Sequence, residues 1–192
     1  MFKSMQHTSL KAAVTVLALL GASAVSATTV FTPLNGSLIN TTIANDGGSM
    51  STIRFDLSDT VTMDGSQAVF GGLYGGESFT PVGTSTYALV GAAGATVFGF
   101  NFTSFNAGQS FSFGWDPDSA DNADYGAVPK DLVGTIVTAM FDSGPAMRGV
   151  LVLDDAGNLG TTLTPVPEPE TYALMLAGLA VVAGVARRRF PR

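Results

Sequence analysis

Apolar and polar residues alternate along several short stretches of this 192-residue chain, which is typical of strands that bury one face. In residues 53–57, 97–102 and 110–115, nearly every second position is Ile, Leu, Phe or Trp. The Asn-Ala-Gly sequence at 106–108 is a turn signal between the second and third runs. We therefore predict that these two runs form a β-hairpin with an aromatic face towards the core.

A second strand pair is predicted further along the chain. Residues 132–141 are rich in Val, Thr and Ile, an Asp-Ser-Gly-Pro turn follows at 142–145, and 149–153 forms the return strand. Short strands joined by glycine-containing connections predict an all-β fold, an antiparallel β-sandwich or jelly roll. Weaker patterns predict further strands near Val30 and at 61–63, 67–70 and 87–90.

Two glycine-rich stretches, 71–76 and 91–94, interrupt this pattern. Neither has the spacing of a phosphate-binding loop, which needs a following helix and usually a lysine. We interpret both stretches as flexible loops around the strands.

The N-terminus has the three parts of a secretory signal peptide. Lys3 and Lys11 make its start positive, a mostly apolar run follows, and small residues lead up to position 27. The apolar run is too short to cross a bilayer core of about 30 Å. We predict a signal peptide at 1–27 that is cleaved between Ala27 and Thr28.

The C-terminus combines a Pro-Glu-Pro sequence with an apolar stretch. Pro167, Glu168 and Pro169 form the first part, and residues 172–186 then follow without a charged side chain. Proline suits the position just before a helix. A helix over this stretch is about 22 Å long at ~1.5 Å per residue, and snorkelling side chains and bilayer thinning extend its reach. We predict a single transmembrane helix at 172–186.

Basic residues follow the apolar stretch directly: Arg187, Arg188 and Arg189. Because a signal peptide carries the preceding chain outward, the positive-inside rule predicts that these arginines stay on the cytoplasmic side. A buried helix of a soluble domain would show an amphipathic pattern, which this segment lacks. We interpret residues 166–192 as a sorting segment that follows a body at 28–165.

These C-terminal parts, in this order, make the chain resemble the PEP-CTERM proteins of Gram-negative bacteria. The shared signature is Pro-Glu-Pro, a hydrophobic helix and a basic end, all within the last 27 residues. The resemblance implies that an exosortase, a membrane protease or transpeptidase, processes the chain near this signature. It also implies association with exopolysaccharide, biofilm or floc matrix outside the cell. The resemblance covers the tail and leaves the body unassigned.

The body is acidic and lacks several catalytic side chains. It holds thirteen acidic and three basic residues, a formal charge of −10, against −6 for the whole chain. This charge argues against a nucleic-acid partner. The chain has no Cys, and its single histidine, His7, lies in the predicted signal peptide. We therefore predict no enzymatic activity, no catalytic residues, no metal and no other cofactor in the body.

One group of side chains nevertheless keeps a calcium site open as an alternative. Carboxylate and amide oxygens are ligands that Ca²⁺ accepts, although their spacing here does not match an EF-hand. The other interpretation is a solvated acidic loop. The group follows the 110–115 run and consists of Asp116, Asp118, Asp121, Asn122 and Asp124.

Four aromatic residues are candidates for stacking on sugar rings: Trp115, Tyr74, Tyr87 and Tyr125. The alternative is core packing, which suits Trp115 because it continues an alternating aromatic face. Tyr74 lies in a glycine-rich stretch and is the better candidate for a sugar contact.

Together these observations predict an exported, non-enzymatic protein of the cell surface or extracellular matrix. Its expected partners are signal peptidase, the secretion machinery, an exosortase and, at least transiently, the inner membrane, with exopolysaccharide as a further candidate. Two alternatives are a polysaccharide-binding module and a permanently anchored single-pass membrane protein. A hydrolase that uses two carboxyl groups is a third, but Glu77, the one glutamate of the body, has no marked partner.

Overall fold

The computed structural model describes residues 27–35, 38–122, 124–166 and 169–189. Within them the chain forms eleven strands, a short 3₁₀ helix at Pro129–Leu132 and one α-helix. The strands and the helix are β1 Ala27–Asn35, β2 Leu38–Asn45, β3 Met50–Asp56, β4 Ala68–Thr80, β5 Thr86–Val90, β6 Val97–Phe105, β7 Gln109–Ser119, β8 Ile136–Phe141, β9 Met147–Val150, β10 Val152–Leu153, β11 Leu159–Pro165 and α1 Pro169–Arg189.

The strands pair antiparallel and join into one sheet. Their order is β4-β7-β2-β1-β11-β9-β8-β3-β6-β5, with β10 also beside β11. β11 links the two halves of the sheet, because it pairs with β1 on one side and with β9 and β10 on the other. The antiparallel all-β class predicted from the sequence is therefore confirmed, whereas the sheet is continuous instead of divided into the two sheets of a sandwich.

The sheet curls so that β6, in one half, faces β7, in the other. The ring centroids of Phe98 and Trp115 are 4.6 Å apart, and so are those of Phe100 and Phe113. Phe70 of β4 stacks on Phe98 at 4.4 Å. All five side chains are buried, so their rings form the centre of the core. Such ring pairs stabilise a core beyond the area they bury.

The predicted hairpin between residues 97–102 and 110–115 is wrong in its pairing. Both strands and the intervening turn exist, but β6 pairs with β3 and β5, while β7 pairs with β2 and β4. Side-by-side pairing would put both aromatic faces on one surface of the sheet, where other elements would have to cover them. Packing face to face lets each aromatic strand bury the other.

The second predicted strand pair is confirmed. β8 and β9 pair antiparallel, with Ala139 opposite Met147. The first strand begins at Ile136 instead of residue 132, because Pro129–Leu132 form the 3₁₀ helix. The return strand is Met147–Val150 instead of 149–153, because Val152–Leu153 form β10 and pair with β11. The predicted strand at 87–90 matches β5.

The prediction that the glycine-rich stretch at 71–76 forms a loop is also wrong. The stretch lies within β4 and pairs with β7, with shifts in register along the way. Gly72, Gly75 and Gly76 have positive φ values there. Glycine adopts this conformation without a Cβ penalty, so the stretch forms an irregular edge strand instead of a loop. The stretch at 91–94 lies outside the strands, as predicted.

We predict that Phe98→Ala lowers the free energy of unfolding by about 3–5 kcal/mol, the usual range for a buried Phe. Phe98 is fully buried and contacts three aromatic rings, so truncation leaves a cavity that the rigid sheet cannot fill. Urea denaturation of the folded protein measures the change. Val97→Ala is the matched control, because Val97 precedes Phe98 but is 41% exposed. Equal losses in the two variants would contradict the assigned core.

Candidate functional site

The end of β11 is where the sheet stops and the predicted sorting segment begins. Pro165 lies opposite Met147 in β9, and the Val166 N–H donates a hydrogen bond to the carbonyl oxygen of Ala146 (N···O 2.8 Å). The body is thus paired up to the residue before Pro167. This strand was not predicted from the sequence, although Leu159 and Leu163 are both buried, a spacing that fits a strand with one apolar face.

The predicted processing and topology residues lie just beyond this strand. Pro167 and Glu168 are outside the described residues, and Pro169 is the first residue of α1. The same helix contains the predicted transmembrane segment at 172–186 and ends with the three arginines. The roles assigned to all of these residues remain predictions. The arginines are Arg187, Arg188 and Arg189.

Helix α1 carries apolar side chains that the body does not cover. Each of the large ones that the structure describes is more than half exposed: Tyr172, Leu174, Met175, Leu176, Leu179, Val181 and Val182. In the part of the chain that the structure describes, however, no helix is both long and apolar enough to cross a membrane. The prediction for 172–186 is therefore confirmed as a helix and not as a transmembrane span.

The start of the body lies beside its end. β1 and β11 are antiparallel neighbours, and Ala27 lies opposite Leu163, so residues 27 and 165 are at the same end of the sheet. The predicted cleavage between Ala27 and Thr28 falls within β1. Residues 1–26, the rest of the predicted signal peptide, are outside the described residues.

The five side chains suggested as calcium ligands are distributed over a strand and a turn. Asp116 and Asp118 lie partly buried on β7, while Asp121, Asn122 and Asp124 are exposed in the following segment. Among the described residues, no three acidic or histidine side chains group closely enough to hold a metal ion. The arrangement therefore gives no support to a calcium site.

Two carboxylates near this segment accept hydrogen bonds instead. Ser66 Oγ donates to Asp121 Oδ2 (2.7 Å), and Ser119 Oγ donates to Asp64 Oδ2 (2.8 Å). Hydrogen bonds from Thr62, Ser119 and the Ser66 N–H hold the pKa of Asp64 below its usual value. Asp64 was missed from the sequence because it lies 55 residues from its partner Ser119. These bonds attach the 62–66 turn to the end of β7.

Asp118 has a different environment. A Cβ at Gly71 would collide with its carboxylate, so the side chain lies directly on the neighbouring strand. Burial raises the pKa of Asp118 above its ordinary value, and the negative charge of Asp116 raises it further. The charged form of Asp118 is thus disfavoured in the folded body.

The aromatic candidates separate into core and surface residues. Trp115 is buried, and its Nε1 donates to Thr41 Oγ1 (2.9 Å), which supports core packing. Tyr87 lies with its ring centroid 5.0 Å from that of Phe111 and is 39% exposed. Tyr125 is half-buried.

Tyr74 differs from these residues because its ring lies on the outer surface of the sheet. It is 45% exposed, and its Cζ would be 2.6 Å from a Cβ at Gly114, so the ring covers that glycine. Polar side chains flank it on β2 and β7: Asn40 pairs with Gly114, and Thr42 Oγ1 lies 3.0 Å from Ser112 Oγ. We call this surface, formed by Tyr74, Gly114, Asn40, Thr42 and Ser112, the Tyr74 face.

The chain is thus of the class in which a β-sheet body is followed by a helix with exposed apolar side chains. Within this class, residues 165–189 match the family model described as the PEP-CTERM protein-sorting motif, so the chain carries this sorting signal. The motif implies exosortase-dependent sorting of an exported protein with a membrane-associated intermediate. No curated protein and no solved structure matches the chain. The match begins at the last residue of β11 and ends with α1.

We predict that Asp118→Asn stabilises the body at pH 7. Because the folded-state pKa is raised, ionisation of Asp118 costs stability as the pH rises from its unfolded-state pKa of about 3.9 through the folded-state value. The gain should therefore be present at pH 7 and absent below about pH 3, where Asp118 is largely protonated in both states. Urea denaturation at the two pH values tests this.

The control for this prediction is Asp124→Asn, an exposed carboxylate in the same part of the chain. We expect this variant to change the free energy of unfolding by less than about 0.5 kcal/mol. An Asp118→Asn protein that is no more stable than the wild type at pH 7 would contradict the disfavoured charge.

Proposed function

We propose that this protein is an exported, non-enzymatic β-sheet protein that its C-terminal tail holds at the inner membrane until an exosortase releases it to the cell surface or matrix. The observation that carries the proposal is the junction at Val166. There the last strand of the body ends, and the matched sorting motif continues into a helix that the body does not cover.

The position of this junction favours release of an intact body. A cut at Pro167–Pro169 removes α1 while preserving the pairs of β11 with β1 and β9. The exposed apolar side chains of α1 would remain with the membrane fraction. Such side chains are unfavourable in water and need an apolar environment or partner.

The two ends of the body support the same orientation. Residues 27 and 165 lie at one end of the sheet, so a signal peptide and a tail at the membrane would hold the body by a single end. Arg187–Arg189 would keep the end of the tail on the cytoplasmic side. The opposite end and the outer faces of the body would then be free to meet the matrix.

The absence of Cys from the chain, and of His from residues 28–165, supports the non-enzymatic part of the proposal. Thiol and histidine-based catalysis are then unavailable to the body. Its remaining acid–base groups are mainly aspartates, of which Asp64 and Asp121 accept hydrogen bonds from serine side chains.

The processing step is tested by intact mass measurement of the full chain produced in a Gram-negative host with and without an exosortase. We expect a form that ends near Pro167–Pro169 only when the enzyme is present, and a form that retains Arg187–Arg189 when it is absent. The retained tail in both strains would overturn the proposal in favour of a permanently anchored protein.

Two acidic residues provide a matched pair of variants for this experiment. Glu168→Gln removes the charge of the Pro-Glu-Pro sequence, and Glu170→Gln makes the same change two residues later. We expect at least a tenfold loss of processing in the first variant and near wild-type processing in the second. Equal processing of both variants would show that the exosortase does not recognise the charge of Glu168.

A second candidate function is polysaccharide binding at the Tyr74 face. The favouring observation is a 45% exposed ring that covers a glycine, with the hydroxyl and amide groups of Asn40, Thr42 and Ser112 on the adjoining strands. An aromatic ring offers an apolar surface to a sugar, while such polar groups offer hydrogen bonds to its hydroxyls.

Glycan-array binding of the exported protein tests this candidate with three variants of one residue. We expect Tyr74→Phe to retain most binding, because the ring remains, and Tyr74→Ala to lose at least tenfold in affinity. Tyr74→Leu is the control for stability, because it keeps an apolar cover over Gly114 but has no ring. Undiminished binding by Tyr74→Leu would exclude stacking on this side chain.

A further inference from the structure

The first residue of β1 is enclosed by the body on both sides. Ala27 lies opposite Leu163 in β11 and Asn45 in β2, and all three residues are buried. Asn45 Nδ2 donates to the carbonyl oxygen of Phe105 (2.9 Å), and the carbonyl oxygen of Asn45 accepts from the Gly108 N–H (2.7 Å). Ala27 is therefore part of a packed and hydrogen-bonded corner of the core.

Cleavage between Ala27 and Thr28 would damage this corner. The core would lose the buried methyl group of Ala27, and the sheet would lose the first pair of β1 with each neighbour. The new ammonium group would be placed on Thr28, which is half-buried within the sheet. Removing such a charge from water is unfavourable unless it finds a partner.

The sequence offers an earlier cleavage site. Signal peptidase requires small residues at the first and third positions before the cut, in a pattern like Ala-x-Ala. Ala22 and Ala24 fit this pattern directly, whereas the later site has Val25 at its third position. A cut after Ala24 would leave three residues, 25–27, attached to the body.

We infer that signal peptidase cuts this chain between Ala24 and Val25, so that the mature body begins at Val25 and keeps Ala27 in its core. The charged N-terminus then precedes β1 by two residues. This inference rests on export, which is part of the proposed function, and it moves the predicted cleavage from Ala27–Thr28 to an earlier bond.

N-terminal sequencing of the protein recovered from outside the cytoplasm tests the inference directly. The full chain is produced in a Gram-negative host, and the expected N-terminus is Val25. An exported protein that begins at Thr28 overturns the inference and leaves the proposed function standing. An uncleaved precursor confined to the cytoplasm overturns both.

Two substitutions before β1 distinguish cleavage at Ala24–Val25 from cleavage at Ala27–Thr28. Ala22→Asp places a charge at the third position before the earlier cut, and Val25→Asp places the same charge at the third position before the later one. In a pulse–chase experiment, we expect Ala22→Asp to slow conversion of precursor at least tenfold and Val25→Asp to leave it within twofold of the wild type. The reverse pattern overturns the inference.

Discussion

The aromatic contact between β6 and β7 is the constraint on which the rest of the structure depends. Phe98 and Phe100 on one strand meet Trp115 and Phe113 on the other, each pair with centroids 4.6 Å apart. These strands are separated by a short turn, yet they lie in opposite halves of one sheet. Their face-to-face packing requires the sheet to curl, and the remaining strands must then connect the halves around the core.

In this curled sheet, β11 is the strand that joins the two halves. The two halves are joined where β11 pairs with β1 on one side and with β9 and β10 on the other, and β11 is also the last strand before the matched sorting motif. The motif thus begins at the last residue of the strand that joins the two halves. A cleavage site further inside the chain would break the joint, whereas a site after Val166 leaves every pair of β11 in place.

The sequence predicts the strands of this fold better than their partners. Alternation located β3, β6 and β7 because their inward residues are large and their outward ones small or polar. Alternation could not show that β6 and β7 face each other across the core. Strands that pair side by side and strands that pack face to face have the same period of two. The tail motif was readable because its residues are contiguous, while the Tyr74 face and the Asp64–Ser119 bond join residues far apart in the chain.

The topology also orders folding relative to the two proposed processing steps. β1 and β11 are neighbours although they lie at opposite ends of the body, so their pairing requires closure of nearly the whole chain. In the proposed export, β1 emerges before β11, and a signal peptidase would act on the preceding residues during that interval. The tail follows β11, so an exosortase acts on a chain whose last strand is already available to pair. A body that retains Ala27 can then close its core between the two cuts without a charged end inside the sheet.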